Sequence, residues 1–169
     1  MTEAGLAVGL QMLMWGLTGP IFGAISDKYG GHKAIMLGFI FYIAGIYFLY
    51  IGPNTGLFFQ LELGVLIGIG LGATAISIPI SIVGKHFPLS NRTIAMSIVT
   101  AVGSFGFFLS PLFTNYSLKS HGWENTLYYF GVFLLIGLII SFFVRSPSRS
   151  ESPEKKNSQT TNQALKEAF

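Results

Sequence analysis

Residues 23–33 read GAISDKYGGHK. Asp27, Lys28 and Lys33 stand together here, between two long runs that carry almost no charge. A charged turn of this size between apolar runs is what a helical hairpin at a membrane surface looks like. Each flanking run is at least as long as the ~18 residues that make a spanning-helix candidate. The reading of the whole chain follows from this turn.

Composition agrees. Of 169 residues, 51% are hydrophobic and 10% charged, with a mean hydropathy of +0.60. A soluble domain is usually about a quarter charged, so lipid is the expected solvent. Five apolar runs are visible, at about 4–26, 34–51, 56–83, 94–116 and 126–144. Helix is the expected state of each, because a lone strand in lipid leaves its backbone unpaired. The alternating segments of about ten residues that build a membrane barrel are missing. The expected fold is therefore all-α, a polytopic transmembrane bundle of five spans over residues 1–144. A polar linker follows at 145–169.

The basic residues set the expected orientation. Lys28, Lys33, Lys85, Arg92, Arg145, Arg149, Lys155, Lys156 and Lys166 fall on one side of a five-span arrangement, and of the ten Lys and Arg only Lys119 falls on the other. Short cytoplasmic loops are rich in Lys and Arg. The N-terminus is expected outside and the tail inside, in a plasma (inner) membrane. No cleavable signal peptide is visible.

Other chemistry is sparse. The chain has no cysteine, so neither a disulfide framework nor a thiolate metal site is expected. His32, His86 and His121 lie in links without metal-ligand spacing. No metal, cofactor or nucleic-acid partner is expected, and no nucleophile–base pair suggests an enzyme. Gly64, Gly68 and Gly72, spaced by four, form a small-residue face for close helix packing. With Gly70 they imitate a phosphate loop, but no strand precedes them. Polar groups at membrane depth usually face protein or a wet cavity. Gln11, Glu62, Ser77, Ser81, Thr100 and Ser104 are therefore the candidate cavity-lining residues, and their runs the expected inner helices. The second and fifth runs, nearly without polar residues, are the expected outer ones. Gly16, Gly19, Pro20 and Gly23 mark a hinge, a close crossing or a passive kink. Glu62 lies about 9 Å into its run at 1.5 Å per residue. It reads as a proton-coupling or outer-gate carboxylate, as an acid reaching the interface, or as an acid paired within the bundle.

Asp27 stands at the C-terminal, negative end of its helix dipole and needs a positive partner. Lys28, Lys33 and Arg92 are the candidates, and Gly30 and Gly31 allow a tight turn. Gly23, Asp27, Lys28, Gly30 and Lys33, with Gly31 and His32 between the last two, resemble the signature loop of the major facilitator superfamily. The shifted basic pair resembles its monocarboxylate transporter and oxalate–formate antiporter branch. LGVLIGIGLG resembles family helix 4. KHFPLSNRTIAMSIVTAVGSFG, with Arg92, resembles the loop and start of helix 5.

The resemblance implies that the runs are family helices 2 to 6 of a twelve-helix, two-lobed transporter. Helix 1 and the second lobe would be missing partners, and the chain a fragment unable to transport alone. The resemblance also implies alternating access for a small solute, with an organic anion as the candidate and a proton or counter-anion coupled to it. The loop of Gly23, Asp27, Lys28, Gly30 and Lys33 would act as a conformational gate against the second lobe. The alternatives are a non-transporting scaffold or assembly factor, and an intramembrane enzyme.

Overall fold

A computed structural model describes residues 3–53 and 55–143, and their regular structure is helical throughout. Helix α1 is Glu3–Tyr29 and α2 is Gly31–Ile51. A third apolar stretch, Gly56–His86, is segmented. It contains α3 (Gly56–Phe59), a π-helical segment (Gln60–Leu66), α4 (Ile67–Thr74) and α5 (Ser77–His86). The last element, α6, is Leu89–Phe143. Among the described residues four helices are thus long and apolar enough to cross a membrane. The expected linker at 145–169 lies outside the described residues.

The interruptions have local causes. Pro79 has no N–H to give the carbonyl four residues back, and its ring crowds that carbonyl. That residue is Ala75, where the backbone leaves the helix at φ −58° and ψ 160°. At the π-helical segment, the Ile67 N–H bonds the Glu62 carbonyl five residues back. In α6 the helix is broken at Gly122, with φ 78° and ψ 179°. Only glycine adopts that region without strain. The Phe113 ring packs edge-on against Phe130 and Phe133, with centroids 5.9 and 5.7 Å apart. Twenty residues of straight helix would separate Phe113 from Phe133 by about 30 Å. The chain therefore folds back on itself at Gly122. Across the reversal, Thr126 and Ser117 share a buried hydroxyl–hydroxyl hydrogen bond of 2.9 Å.

Packing is closest around the third stretch. Gly64, Gly68 and Gly72 turn towards α1. A Cβ at Gly64 would stand 2.9 Å from a Leu10 methyl carbon, and one at Gly68 would stand 2.8 Å from the Gln11 carbonyl. Gly70 turns the other way, against the Tyr42 backbone of α2. From α2, Gly38 and Gly45 meet Ala73 and Ile67 in return. Two small cores result. Phe22, Ala34, Ala73, Ile78 and Ile82 form one, and Leu49, Ile67 and Leu127 form the other. In lipid, apolar burial does not drive helices together, so close approach at small residues carries much of the association.

Two expectations change here. The second run was expected outside, yet α2 packs against both the third stretch and α6. Its glycines, not its polarity, decide that. The links at the Gly30 turn and before α6 are also shorter than the apolar runs imply. Helix continues through the charged residues on each side, because charge at a helix end does not break it.

Candidate functional site

The charged turn is built on one residue. Gly30 has φ 94°, its N–H bonds the Ser26 carbonyl at 3.0 Å, and its own carbonyl accepts the Lys33 N–H at 3.2 Å. Gly31 is already the first residue of α2. A Cβ at Gly31 would stand 2.5 Å from Ile82 Cγ1, so the turn lies directly on α5. That approach brings Lys85 to Asp27. Lys85 Nζ donates to Asp27 Oδ1 at 3.0 Å.

The partner of Asp27 is thus Lys85, and not Lys28, Lys33 or Arg92. Lys28 Nζ lies over its neighbour Tyr29, 5.1 Å from the ring centroid. Arg92 leans on α5, where a Cβ at Gly84 would stand 3.2 Å from its Nε. Lys33 is exposed. Gly23 has nothing within 4 Å of its Cβ position. Lys85 was visible in the sequence only as one more basic residue. No spacing rule links positions 27 and 85, because the link runs through the Gly31–Ile82 contact. The Asp27 side chain is 57% exposed, so water screens the pair and it is worth under about 1 kcal/mol. Its value is geometric, joining the end of α1 to the end of α5.

A cavity of about 280 Å³ lies between the helices. Gln11, Tyr42, Ser110, Thr114 and Trp123 border it, among leucines, isoleucines and phenylalanines. Of the expected lining residues only Gln11 is there. Ser77, Thr100 and Ser104 are exposed and Ser81 is half-buried. The Thr100 hydroxyl donates to the Met96 carbonyl at 3.0 Å, as hydroxyls in membrane helices commonly do. Thr114 was missed, and Ser110, though polar at membrane depth, was not among the candidates. Their spacing of four, which puts two hydroxyls on one helix face, was the available signal. Glu62 turns from the cavity towards Gly52 of α2. At that same end, Glu3 Oε2 accepts the Gly56 N–H at 3.1 Å and ties α1 to the third stretch.

These groups can hydrogen-bond a small polar solute. They include no cation that could neutralise an anion inside the cavity. Among the described residues no three His, Cys, Asp or Glu side chains could hold a metal ion.

Comparison with known proteins places this geometry. The chain is 27% identical over 157 residues to the probable nitrate transporter NarT of Staphylococcus aureus (strain Newman), a match covering 92% of this chain and 38% of the relative. NarT of Staphylococcus carnosus (strain TM300), also a probable nitrate transporter, is 27% identical over 151 residues, covering 88% of this chain and 37% of its own. The chain therefore spans less than two-fifths of the length of these relatives. The profile of the Major Facilitator Superfamily matches residues 1–169. The apolar helices and the match along the whole chain agree: this is an integral membrane protein, and it belongs to the Major Facilitator Superfamily.

Proposed function

We propose that these residues are part of the first lobe of a transporter that moves a small monovalent anion by alternating access. The observation that carries the reading is the family match over the full chain, with probable nitrate transporters among its relatives. Nitrate is the first substrate to test. A monocarboxylate, also a small planar-headed monoanion, is the second. Every cation among the described residues stands at a helix end or turn, so the anion's counter-charge comes from elements outside these residues. A second lobe, packed against this one, completes the pathway, and a proton or counter-anion moves with the solute.

In this reading the chain crosses the membrane five times. The chain reversal at Gly122 supports counting α6 as two spans. The Gly30 turn then lies in the cytoplasm of a cell bounded by the plasma membrane, and the N-terminus lies outside. Gly23, Asp27, Lys28, Gly30 and Lys33 form the gate that meets the second lobe, with Lys85 holding Asp27 in place. Arg92 braces the second cytoplasmic turn. Gln11, Ser110 and Thr114 face the solute pathway.

Two experiments test this. Uptake of labelled nitrate is measured in cells lacking their own nitrate transport and expressing the gene in its full genomic context. Nitrate uptake competed by nitrite, and weakly by formate or lactate, is expected. Uptake that no small anion competes overturns the anion reading. Topology reporters at Pro53 and His121 should read outside, and those at Gly31, Phe87 and Ser152 inside. A reversed reading at any one of them breaks the five-span arrangement.

A further inference from the structure

Glu62 is the one acidic side chain among the described residues that lies within an apolar stretch and away from a helix end or turn. It is 7% exposed, and its Oε2 has no hydrogen-bond partner among the described residues. A buried carboxylate without a partner is costly in an apolar setting. Its surroundings make it costlier. It sits against Gly52, the C-cap of α2. That is the negative end of the α2 dipole, where unpaired carbonyls collect. The position a Cβ of Gly52 would occupy is crowded by two acceptors, Glu62 Oε1 and the Phe48 carbonyl oxygen. The Gly52 N–H already bonds that carbonyl at 2.7 Å, so it has nothing to give Glu62. The segment carrying Glu62, Gln60–Leu66, is π-helical, a form found often at functional sites.

Among the described residues of α1, α2, α3 and α4, no cation stands at this end. On α1 the acid at this end is Glu3, which is itself an acceptor and bonds the Gly56 N–H. The outer half of α2 offers only Tyr42, Tyr47 and Tyr50. Neither α3 nor α4 has a charged residue. Lys119, His121 and Glu124 flank the Gly122 reversal of α6, which packs chiefly on α2. Among the described residues Glu62 forms no ion pair, and its Oε2 accepts no hydrogen bond.

We propose that Glu62 is a proton-binding site whose occupancy opens and closes the contact between the third stretch and the end of α2 at Gly52. The carboxylate takes a proton from hydronium, an O–H bond forms on Glu62 and water is released. The neutral acid can donate to the carbonyls at the end of α2 and stay buried. When the contact opens, water takes the proton back and hydrates the carboxylate. This rests on the membrane-spanning reading and stands whichever solute crosses.

The test is infrared difference spectroscopy on the purified protein in lipid nanodiscs, between acidic and alkaline buffer, with isotope-labelled glutamate. A protonated-carboxyl band that titrates is expected, lost in Glu62→Gln and moved but retained in Glu62→Asp. Spin labels at Tyr47→Cys and Leu61→Cys, in a chain with no native cysteine, should change separation with pH. In Glu62→Gln the separation should stay fixed. A glutamate band unaffected by Glu62→Asp, or no pH-dependent band, overturns the proposal. So does a band without movement between the labels. If Glu62→Gln does not insert, the label separation in Glu62→Asp must still titrate, at a shifted midpoint, or the proposal fails.

Discussion

Glycines on α1 and glycines packed against it meet opposite surroundings. On one face, Gly64, Gly68 and Gly72 of the third stretch press against Ala7, Leu10, Gln11, Met14 and Thr18 with no room for a methyl group. On α1 itself, Gly9, Gly16, Gly19 and Gly23 have nothing within 4 Å of their Cβ positions. Met12, Leu13, Leu17 and Ile21 are likewise exposed. A glycine on a membrane helix is therefore no measure of packing by itself. The same residue type closes a seam on one side and leaves a smooth open surface on the other.

That contrast can be broken by substitution, and the largest effect belongs to the seam. Gly68→Leu drives a side chain into Met14 and the Gln11 backbone. It should cost about 3 kcal/mol or more, at the upper end of overpacking. Gly16→Leu should cost almost nothing. Reversible unfolding in mixed micelles, followed by Trp15 and Trp123 fluorescence, compares the two. Equal losses would remove the distinction between the faces.

Next is the Gly122 reversal, which is held by backbone geometry. Gly122→Ala places a Cβ at φ 78° and should cost about 1–3 kcal/mol by the same assay. A neutral result would mean the reversal adopts another conformation. Ser117→Ala removes the buried hydroxyl partner of Thr126, which keeps its 2.7 Å bond to the Gly122 carbonyl. A loss of about 1 kcal/mol is expected.

The seam's charged end should respond least. Asp27→Asn and Lys85→Gln should each change stability by under about 1 kcal/mol, since both side chains reach water. A double-mutant cycle measures their coupling, and a value well above that would mean the pair is more buried than its exposure indicates. If the proposed transport function holds, Asp27→Asn in the full-length protein should still slow uptake by shifting the balance of conformations. Wild-type uptake would remove the gate role. Finally, Gly16→Ala should stabilise α1 by about 0.5 kcal/mol, the usual gain over glycine in a helix. If uptake by the proposed transporter falls while stability rises, the open face serves a moving partner.

Much of this was legible in the chain itself. Apolar length marked where helices form, because in lipid the backbone must bond within each segment. The spacing of Gly64, Gly68 and Gly72 announced a tight face, and the Gly23–Lys33 pattern led to the right superfamily. The branch within it was not legible: the shifted basic pair resembles one branch, while the relatives found are probable nitrate transporters. Polarity did not follow burial among the described residues: Thr100 and Ser104 are exposed, whereas α2, with no polar residue beyond tyrosine after Lys33, is held between two neighbours.

What the sequence determined alone is local: which runs become helix, the positive φ that Gly30 supplies and the break that Pro79 imposes at Ala75. Each depends on residues a few positions apart. What only the tertiary structure decided is which groups meet. Lys85 reaches Asp27 because Gly31 lets α5 approach. Glu62 lies on the carbonyl end of α2 because Gly52 leaves room for it. Those meetings depend on helices crossing at distances set by side-chain volume, and no spacing along one chain encodes the face that a neighbour presents.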